Sequence, residues 1–145
     1  MTRTRGVVLA TALLVMTSGP ARLAAPAAAQ PGVDAAAAEA PVMRQLEAFR
    51  RDDYETAYTF ASATIHELFD REAFERMVKG GYPEIARSAF AHVAERHAAP
   101  DGRVYLRLKI RGQNGNSVEA VYEMVWEDGR WRINGVVARP DAGLI

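Results

Sequence analysis

The chain has 145 residues, of which 49% are hydrophobic and 25% are charged, and it contains no cysteine. Its 18 basic and 18 acidic residues balance, so no basic surface for nucleic acid is predicted. The lack of cysteine excludes disulfides, thiolate catalysis and a lipid anchor attached through a thiol. The sequence also lacks a nucleophile elbow, a phosphate-binding loop and a zinc-ligand pattern. These are common signatures of enzyme classes, so the sequence predicts a fold better than an activity.

The N terminus has the three parts of a secretory signal peptide. A cationic start, an apolar run and a small-residue segment follow one another at residues 1–5, 7–16 and 27–29. The apolar run is about half of the ~20 residues that a membrane-spanning helix needs, which favours cleavage over a retained membrane anchor. Ala27 and Ala29 occupy the small-residue positions, so the bond between Ala29 and Gln30 is the predicted cleavage site. We expect an exported protein, periplasmic or secreted, that is not membrane-bound after residues 1–29 are removed.

The mature chain divides into three parts. Residues 30–40 are rich in alanine and are predicted to form a flexible leader, although residues 34–40 could add a turn of helix. Residues 41–140 are predicted to form a single domain, because ~100 residues are enough for one hydrophobic core. Residues 141–145 are a short tail.

Apolar residues at helical spacing predict about three helices at the start of the domain. Val42, Leu46 and Phe49 mark the buried face of the first helix and leave Gln45 on another face. Asp52 is the predicted N-cap of the second helix.

Two more capping patterns follow. Thr64 is the predicted cap of a short helical turn, and Asp70 is the predicted cap of a third helix. The buried face of the third helix carries Phe74, Met77 and Val78, and two glycines end it. Tyr82-Pro83 then predicts entry into an extended strand.

The second half of the domain alternates apolar and polar residues, which is the pattern of strands with one exposed face. Three strands are predicted, with these inward residues: Val104, Leu106, Leu108 and Ile110; Ala120, Tyr122, Met124 and Trp126; Trp131, Ile133, Gly135 and Val137. Asn114-Gly115 and Asp128-Gly129 supply the turns between them. An earlier strand in residues 86–94 has an open register, because its apolar residues fall on both faces.

Helices followed by a meandering sheet give the α+β class, with the helices packed on a curved antiparallel sheet of about four strands. Several short patterns resemble the domain of unknown function 4864 family of bacterial exported proteins: Gln45-x-x-Ala48-Phe49, Asp52-Asp53, Ala57-Tyr58, Phe74-x-x-Met77-Val78 and Gly81-Tyr82-Pro83. The order of elements is similar to the cone-shaped nuclear transport factor 2-like fold, whose superfamily includes ketosteroid isomerases, dehydratases and non-enzymatic modules. This resemblance implies a cavity between the helices and the sheet, where the isomerases bind their ligands.

Four residues are candidates for lining that cavity, although aromatic residues on inward faces are more often plain core: Tyr58, His92, Tyr122 and Trp126. The resembling isomerases use a carboxylate base, and the inward strand positions contain none, so no catalytic residue is predicted. Helix capping accounts for the acidic pair Asp52-Asp53 without an acid/base role. The three histidines lack the spacing of a zinc site, so neither a metal nor another cofactor is predicted.

Three functional hypotheses remain open. The leading one is a non-catalytic module that binds a small apolar ligand or a protein partner. The alternative is an isomerase- or dehydratase-like enzyme that uses His92 or Tyr58 as its acid or base. The third is a homodimer formed through the outer face of the sheet, where Arg107, Lys109 and Arg111 can pair with Glu119 and Glu123.

Overall fold

A computed structural model describes residues 34–141, so the predicted signal peptide and its cleavage site lie outside the described residues. Within this range, helices precede a four-stranded sheet, which confirms the α+β class. The helices are α1 (Glu39–Arg50), α2 (Tyr54–Thr59), α3 (Ala63–Leu68), α4 (Arg71–Gly81) and α5 (Pro83–Ala86). The strands β1 (Ser88–Ala98), β2 (Val104–Gly112), β3 (Ser117–Glu127) and β4 (Arg130–Pro140) form an open antiparallel meander in chain order.

Helical structure begins before residue 41. A 3₁₀ helix, Ala35–Ala38, precedes α1, and the Asp34 carboxylate caps it by accepting a hydrogen bond from the Ala36 N–H at 2.8 Å. Ala38 is fully buried against the core. Residues 34–40 therefore form the extra helical structure that the sequence allowed, and residues 30–33 of the predicted leader lie outside the described part.

The N-cap of α2 is Asp53, so the prediction of Asp52 was wrong by one residue. The Asp53 carboxylate accepts a hydrogen bond from the Thr56 N–H at 3.0 Å, and this bond holds the pKa of Asp53 below its usual range. Asp52 adopts a positive φ of 55° and forms an ion pair with Arg87 at 2.7 Å. Both carboxylates therefore have structural partners.

The caps of the next two helices follow the same chemistry. Ser62, rather than the predicted Thr64, caps α3 by accepting from the Ile65 N–H at 3.3 Å. Asp70 caps α4 as predicted, and its carboxylate accepts from the Ala73 N–H at 2.7 Å. A side-chain oxygen thus satisfies one of the free N–H groups at the start of each helix.

The first helix buries one polar residue among its apolar ones. Val42, Leu46 and Phe49 are buried as predicted, but Gln45 is buried as well, so its predicted outward position was wrong. Gln45 lies three residues after Val42 and therefore on the same helical face. Its side-chain Nε2 donates to the Ala57 carbonyl at 3.1 Å and so links α1 to α2.

The structure defines the register of the first strand, which the sequence left open. Ala91 and Val93 pack against the core, while Phe90 and His92 are exposed on the outer face of the sheet. The strand begins at Ser88 because the residues after Tyr82 form α5, which contradicts the predicted direct entry into a strand.

The last strand contains a bulge at Asn134. Ile133 and Gly135 pair with consecutive residues of β3, so Asn134 between them has no partner. A bulge shifts the alternation of every residue after it. Val136 therefore packs towards the helices, whereas Val137 is 73% exposed, and the predicted inward position of Val137 was wrong.

Candidate functional site

A cavity of about 230 Å³ lies between the helices and the sheet. Its buried lining consists of Gln45, Phe49, Ala61, Phe74, Val78, Ile85, Tyr122 and Ile133. Partly exposed residues complete the lining and mark its opening: Ile65, Phe69, Met77, Tyr82, Gly135 and Val136. Most of this surface is hydrocarbon, so the cavity suits a mainly apolar molecule.

Three polar side chains interrupt the apolar lining. Gln45 uses its Nε2 on the Ala57 carbonyl, and the Tyr82 hydroxyl donates to the Val136 carbonyl at 3.3 Å. The Tyr122 hydroxyl is buried and has no hydrogen-bond partner among the described residues. An unpartnered buried hydroxyl costs about 1–3 kcal/mol, so a ligand acceptor that reached the Tyr122 hydroxyl would stabilise the complex.

Burial also determines the protonation of Tyr122. Because the apolar surroundings disfavour the phenolate, the pKa of Tyr122 lies well above its ordinary value. The hydroxyl is therefore protonated at neutral pH and can donate a hydrogen bond to a ligand acceptor. Its raised pKa makes it a poor general base.

The chemistry available in this cavity is narrow. Among the described lining residues there is no Asp, Glu, His, Lys or Arg. In residues 34–141, no group of three or more His, Cys, Asp or Glu side chains is arranged to hold a metal ion. Proton transfer inside the cavity would therefore depend on Tyr82 or Tyr122.

Of the four predicted cavity residues, Tyr122 lines the cavity and Tyr58 supports its wall. The Tyr58 hydroxyl donates to the Phe69 carbonyl at 2.6 Å. Its ring packs on His66, with 4.1 Å between centroids, and on Phe74, with 5.3 Å between centroids. Tyr58 thus fixes the position of two lining residues, Phe69 and Phe74, without itself lining the cavity.

The structure places the other two predicted residues elsewhere. His92 lies exposed on the outer face of β1, where its ring centroid is 5.6 Å from that of Phe90. Trp126 follows the predicted alternation of β3, but it lies near the β3–β4 turn, where it is 43% exposed. Its ring meets Trp131 edge to face, with centroids 5.4 Å apart. Neither His92 nor Trp126 contributes to the apolar cavity.

The sequence carried signals for some lining residues that were not predicted as site residues. Tyr82 was noted beside Pro83, and Met77 was placed on the buried face of the third helix. Gln45 could have been found from its spacing after Val42. Val136 had no local signal, since its inward position depends on the bulge.

Comparisons with known proteins identify a family. A search of curated proteins found no match. A search of solved structures also found none. Within the described residues, no helix is long and apolar enough to cross a membrane. The sequence model of the family described as "Domain of unknown function (DUF4864)" matches residues 32–144, which is most of the chain, and the protein therefore belongs to that family.

Proposed function

We propose that this protein is an exported, non-catalytic module that binds a small and mostly apolar ligand in the cavity between its helices and its sheet. The observation that carries the proposal is an apolar cavity with one buried, unpartnered hydroxyl, that of Tyr122. The order of helices and then a meandering sheet supports a nuclear transport factor 2-like fold as part of the same proposal.

The volume of the cavity limits the size of the ligand. An apolar cavity of about 150 Å³ can hold benzene, and the present cavity is about half as large again. A single ring with one small substituent fits this space. The substituent should carry a hydrogen-bond acceptor, because the protonated Tyr122 hydroxyl is a donor without a partner.

The alternative is an isomerase- or dehydratase-like enzyme that uses a histidine or tyrosine of the cavity. His92 is exposed on the outer face of the sheet, and the Tyr58 hydroxyl donates a hydrogen bond to a backbone carbonyl. Neither residue therefore supports that mechanism. Tyr82 and Tyr122 are the remaining titratable groups among the described lining residues, and the pKa of Tyr122 is raised by burial. These facts favour binding over catalysis.

Acetophenone and cumene are a matched pair of probes for the cavity. Both have one ring and a three-atom substituent, but only acetophenone carries an acceptor for Tyr122. We expect acetophenone to bind more tightly, as measured by chemical-shift changes of cavity residues in NMR titrations. Equal affinities would contradict the role of the hydroxyl, and the absence of binding by both would contradict the proposed function.

Two valines on β4 provide a matched pair of variants. Val136→Phe adds bulk to a residue that lines the cavity, while Val137→Phe adds the same bulk on the outer face. We expect the first variant to weaken acetophenone binding and the second to leave it unchanged. Equal effects would show that the probe binds outside the cavity.

A second candidate function is self-association through the outer face of the sheet. Val121 and Val137 face each other across β3 and β4 and are 37% and 73% exposed. Beside them Glu119 pairs with Arg107 and Arg139, so the face carries both charges and suits a second copy of itself. Light scattering should give a dimer mass that Val137→Glu reduces to a monomer mass, whereas a monomeric wild type would refute this candidate.

A further inference from the structure

A second groove, of about 310 Å³, lies beside the β3–β4 turn and the start of α1. Both tryptophans of the chain, Trp126 and Trp131, line it. Three arginines, Arg44, Arg130 and Arg132, line it as well. None of these residues lines the apolar cavity, so the groove is a separate site.

The positive charge of this groove is not neutralised within the described structure. Arg44, Arg130 and Arg132 form no ion pair with a carboxylate of residues 34–141, whereas most other described arginines do. Arg132 donates from Nη1 to the Thr59 carbonyl, which fixes its guanidinium beside the groove. Like charges that share a groove repel one another, and a bound anion would remove this repulsion.

The start of α1 also lines the groove. Ala40 and Pro41 belong to the first turn of this 12-residue helix, and both line the groove. The charge that favours a negatively charged group in this groove is therefore that of the three arginines.

The aromatic side of the groove offers a surface for a ring. The exposed Trp126 ring meets Trp131 edge to face at an interplanar angle of 74°. The Trp131 Nε1 is buried without a hydrogen-bond partner among the described residues. A guanidinium group can also stack on an aromatic ring, so the tryptophans and arginines of the groove can contact the same ring-bearing anion.

We propose that this groove binds a small organic anion whose ring packs on Trp126. Its carboxylate, sulfate or phosphate group lies among the guanidinium groups of Arg44, Arg130 and Arg132. Planar guanidinium groups can each donate two parallel hydrogen bonds to such an anion, which gives orientation as well as affinity. The site adds a second, charged ligand to the apolar one proposed above and does not depend on it.

Tryptophan fluorescence reports on this groove alone, because the chain has no tryptophan elsewhere. Phenyl phosphate is the probe, and benzyl alcohol is the uncharged probe of similar ring size. We expect phenyl phosphate to change the fluorescence saturably and benzyl alcohol to bind much more weakly. Added salt should weaken the binding of phenyl phosphate, since exposed charges are screened.

A charge-removing variant tests the arginines. Arg44 and Arg130 are exposed and form no ion pair within residues 34–141, so the double variant Arg44→Gln/Arg130→Gln should remain folded. We expect it to bind phenyl phosphate at least about tenfold more weakly, because charge-assisted hydrogen bonds are lost. The control is Arg111→Gln, which removes an exposed charge far from the groove. Arg111 lies near the end of β2 and pairs with Ser117, at the end of β3 away from Trp126.

Three outcomes would overturn the proposal. The first is no saturable fluorescence change with phenyl phosphate. The second is an equal loss of binding in Arg111→Gln, which would indicate attraction by net charge alone. The third is equal binding of benzyl alcohol, which would leave no role for the anion. Val136→Phe separates the two proposals, because it should leave phenyl phosphate binding unchanged even if it abolishes acetophenone binding.

Discussion

Replacing Tyr122 by phenylalanine should stabilise the free protein and weaken ligand binding. The substitution keeps the buried ring and removes a hydroxyl that has no partner among the described residues. An unpartnered buried hydroxyl costs about 1–3 kcal/mol, and some of this cost is recovered when the group is deleted. We expect the free energy of unfolding to rise by about 1 kcal/mol.

A matched control is available in the same core. The Tyr54 hydroxyl is also buried without a partner in the described structure, but Tyr54 does not line the cavity. Tyr54→Phe should therefore stabilise the protein by a similar amount. In a domain of this size, ~1 kcal/mol corresponds to a rise of about 4 °C in Tm, which thermal unfolding can resolve.

Ligand binding distinguishes the two variants. A hydrogen bond from the Tyr122 hydroxyl to acetophenone should contribute about 1 kcal/mol, so Tyr122→Phe should weaken its binding about fivefold. Tyr54→Phe should bind acetophenone as the wild type does. Cumene should bind both variants equally, because it has no acceptor for either hydroxyl.

Two results would refute this reasoning. If Tyr122→Phe lowered the free energy of unfolding by ~1 kcal/mol or more, the hydroxyl would have a partner in the free protein. If Tyr54→Phe weakened acetophenone binding as much as Tyr122→Phe does, the effect would not be local to the cavity. Either result would remove the observation on which the proposed function is based.

Further predictions concern the core, the sheet and processing. Phe74→Ala should lower the free energy of unfolding by about 3–5 kcal/mol, because the lost ring enlarges an existing cavity. Asp70→Ala should lower it by about 1 kcal/mol, because the helix cap is lost. If denaturant unfolding ranked the two variants in reverse, the packing of Phe74 would be contradicted. Hydrogen bonds from Arg139 and Arg107 lower the pKa of Glu119. The wild type should therefore be more stable than Glu119→Gln by a constant amount at pH values above 4.5, the ordinary pKa of a glutamate. That advantage should disappear as the pH falls through the lowered pKa, and a constant difference would count against it. Mass spectrometry of the protein from its native host should find Gln30 as the first residue, and a retained N terminus would refute the predicted cleavage.

The helix faces could be predicted because they depend on local spacing. Val42, Leu46 and Phe49 are buried at the predicted helical intervals, and Asp70 caps its helix where the sequence indicated. The cap of α2 was wrong by one residue because Asp52 and Asp53 are adjacent carboxylates with equal capping chemistry. The choice between them depends on the positive φ of Asp52 and its ion pair with a residue far along the chain.

The cavity residues could be predicted only in part, because they depend on distant pairing. The inward position of Tyr122 follows from the alternation of β3, and its side chain lines the cavity. His92 lies on the outer face because the pairing of β1 with β2 sets its register, which its own sequence left open. Trp126 follows the alternation but lies near the turn, beyond the residues that line the cavity.

The bulge at Asn134 shows why part of the site has no local signature. Its backbone neighbour Ile133 is held by hydrogen bonds to the segment between α2 and α3: the Ser62 N–H donates to the Ile133 carbonyl, and the Ile133 N–H donates to the Phe60 carbonyl, both at 2.8 Å. The Ser62 hydroxyl also donates to the Asn134 Oδ1 at 2.8 Å. These contacts join residues about 70 positions apart, as in the 72-residue separation of Ser62 and Asn134, and no local pattern encodes them.

The same segment separates the two candidate ligand sites. Phe60 lines the charged groove and Ala61 lines the apolar cavity, and Ala61 forms a parallel bridge with Ile133 of β4. Trp131 and Ile133 lie two residues apart on β4, with one in each site. Because side chains two residues apart share one face of a strand, both sites lie on the helix side of the sheet. The long-range pairing that fixes the bulge thus also sets the boundary between the two sites, and no local sequence pattern predicts the groove.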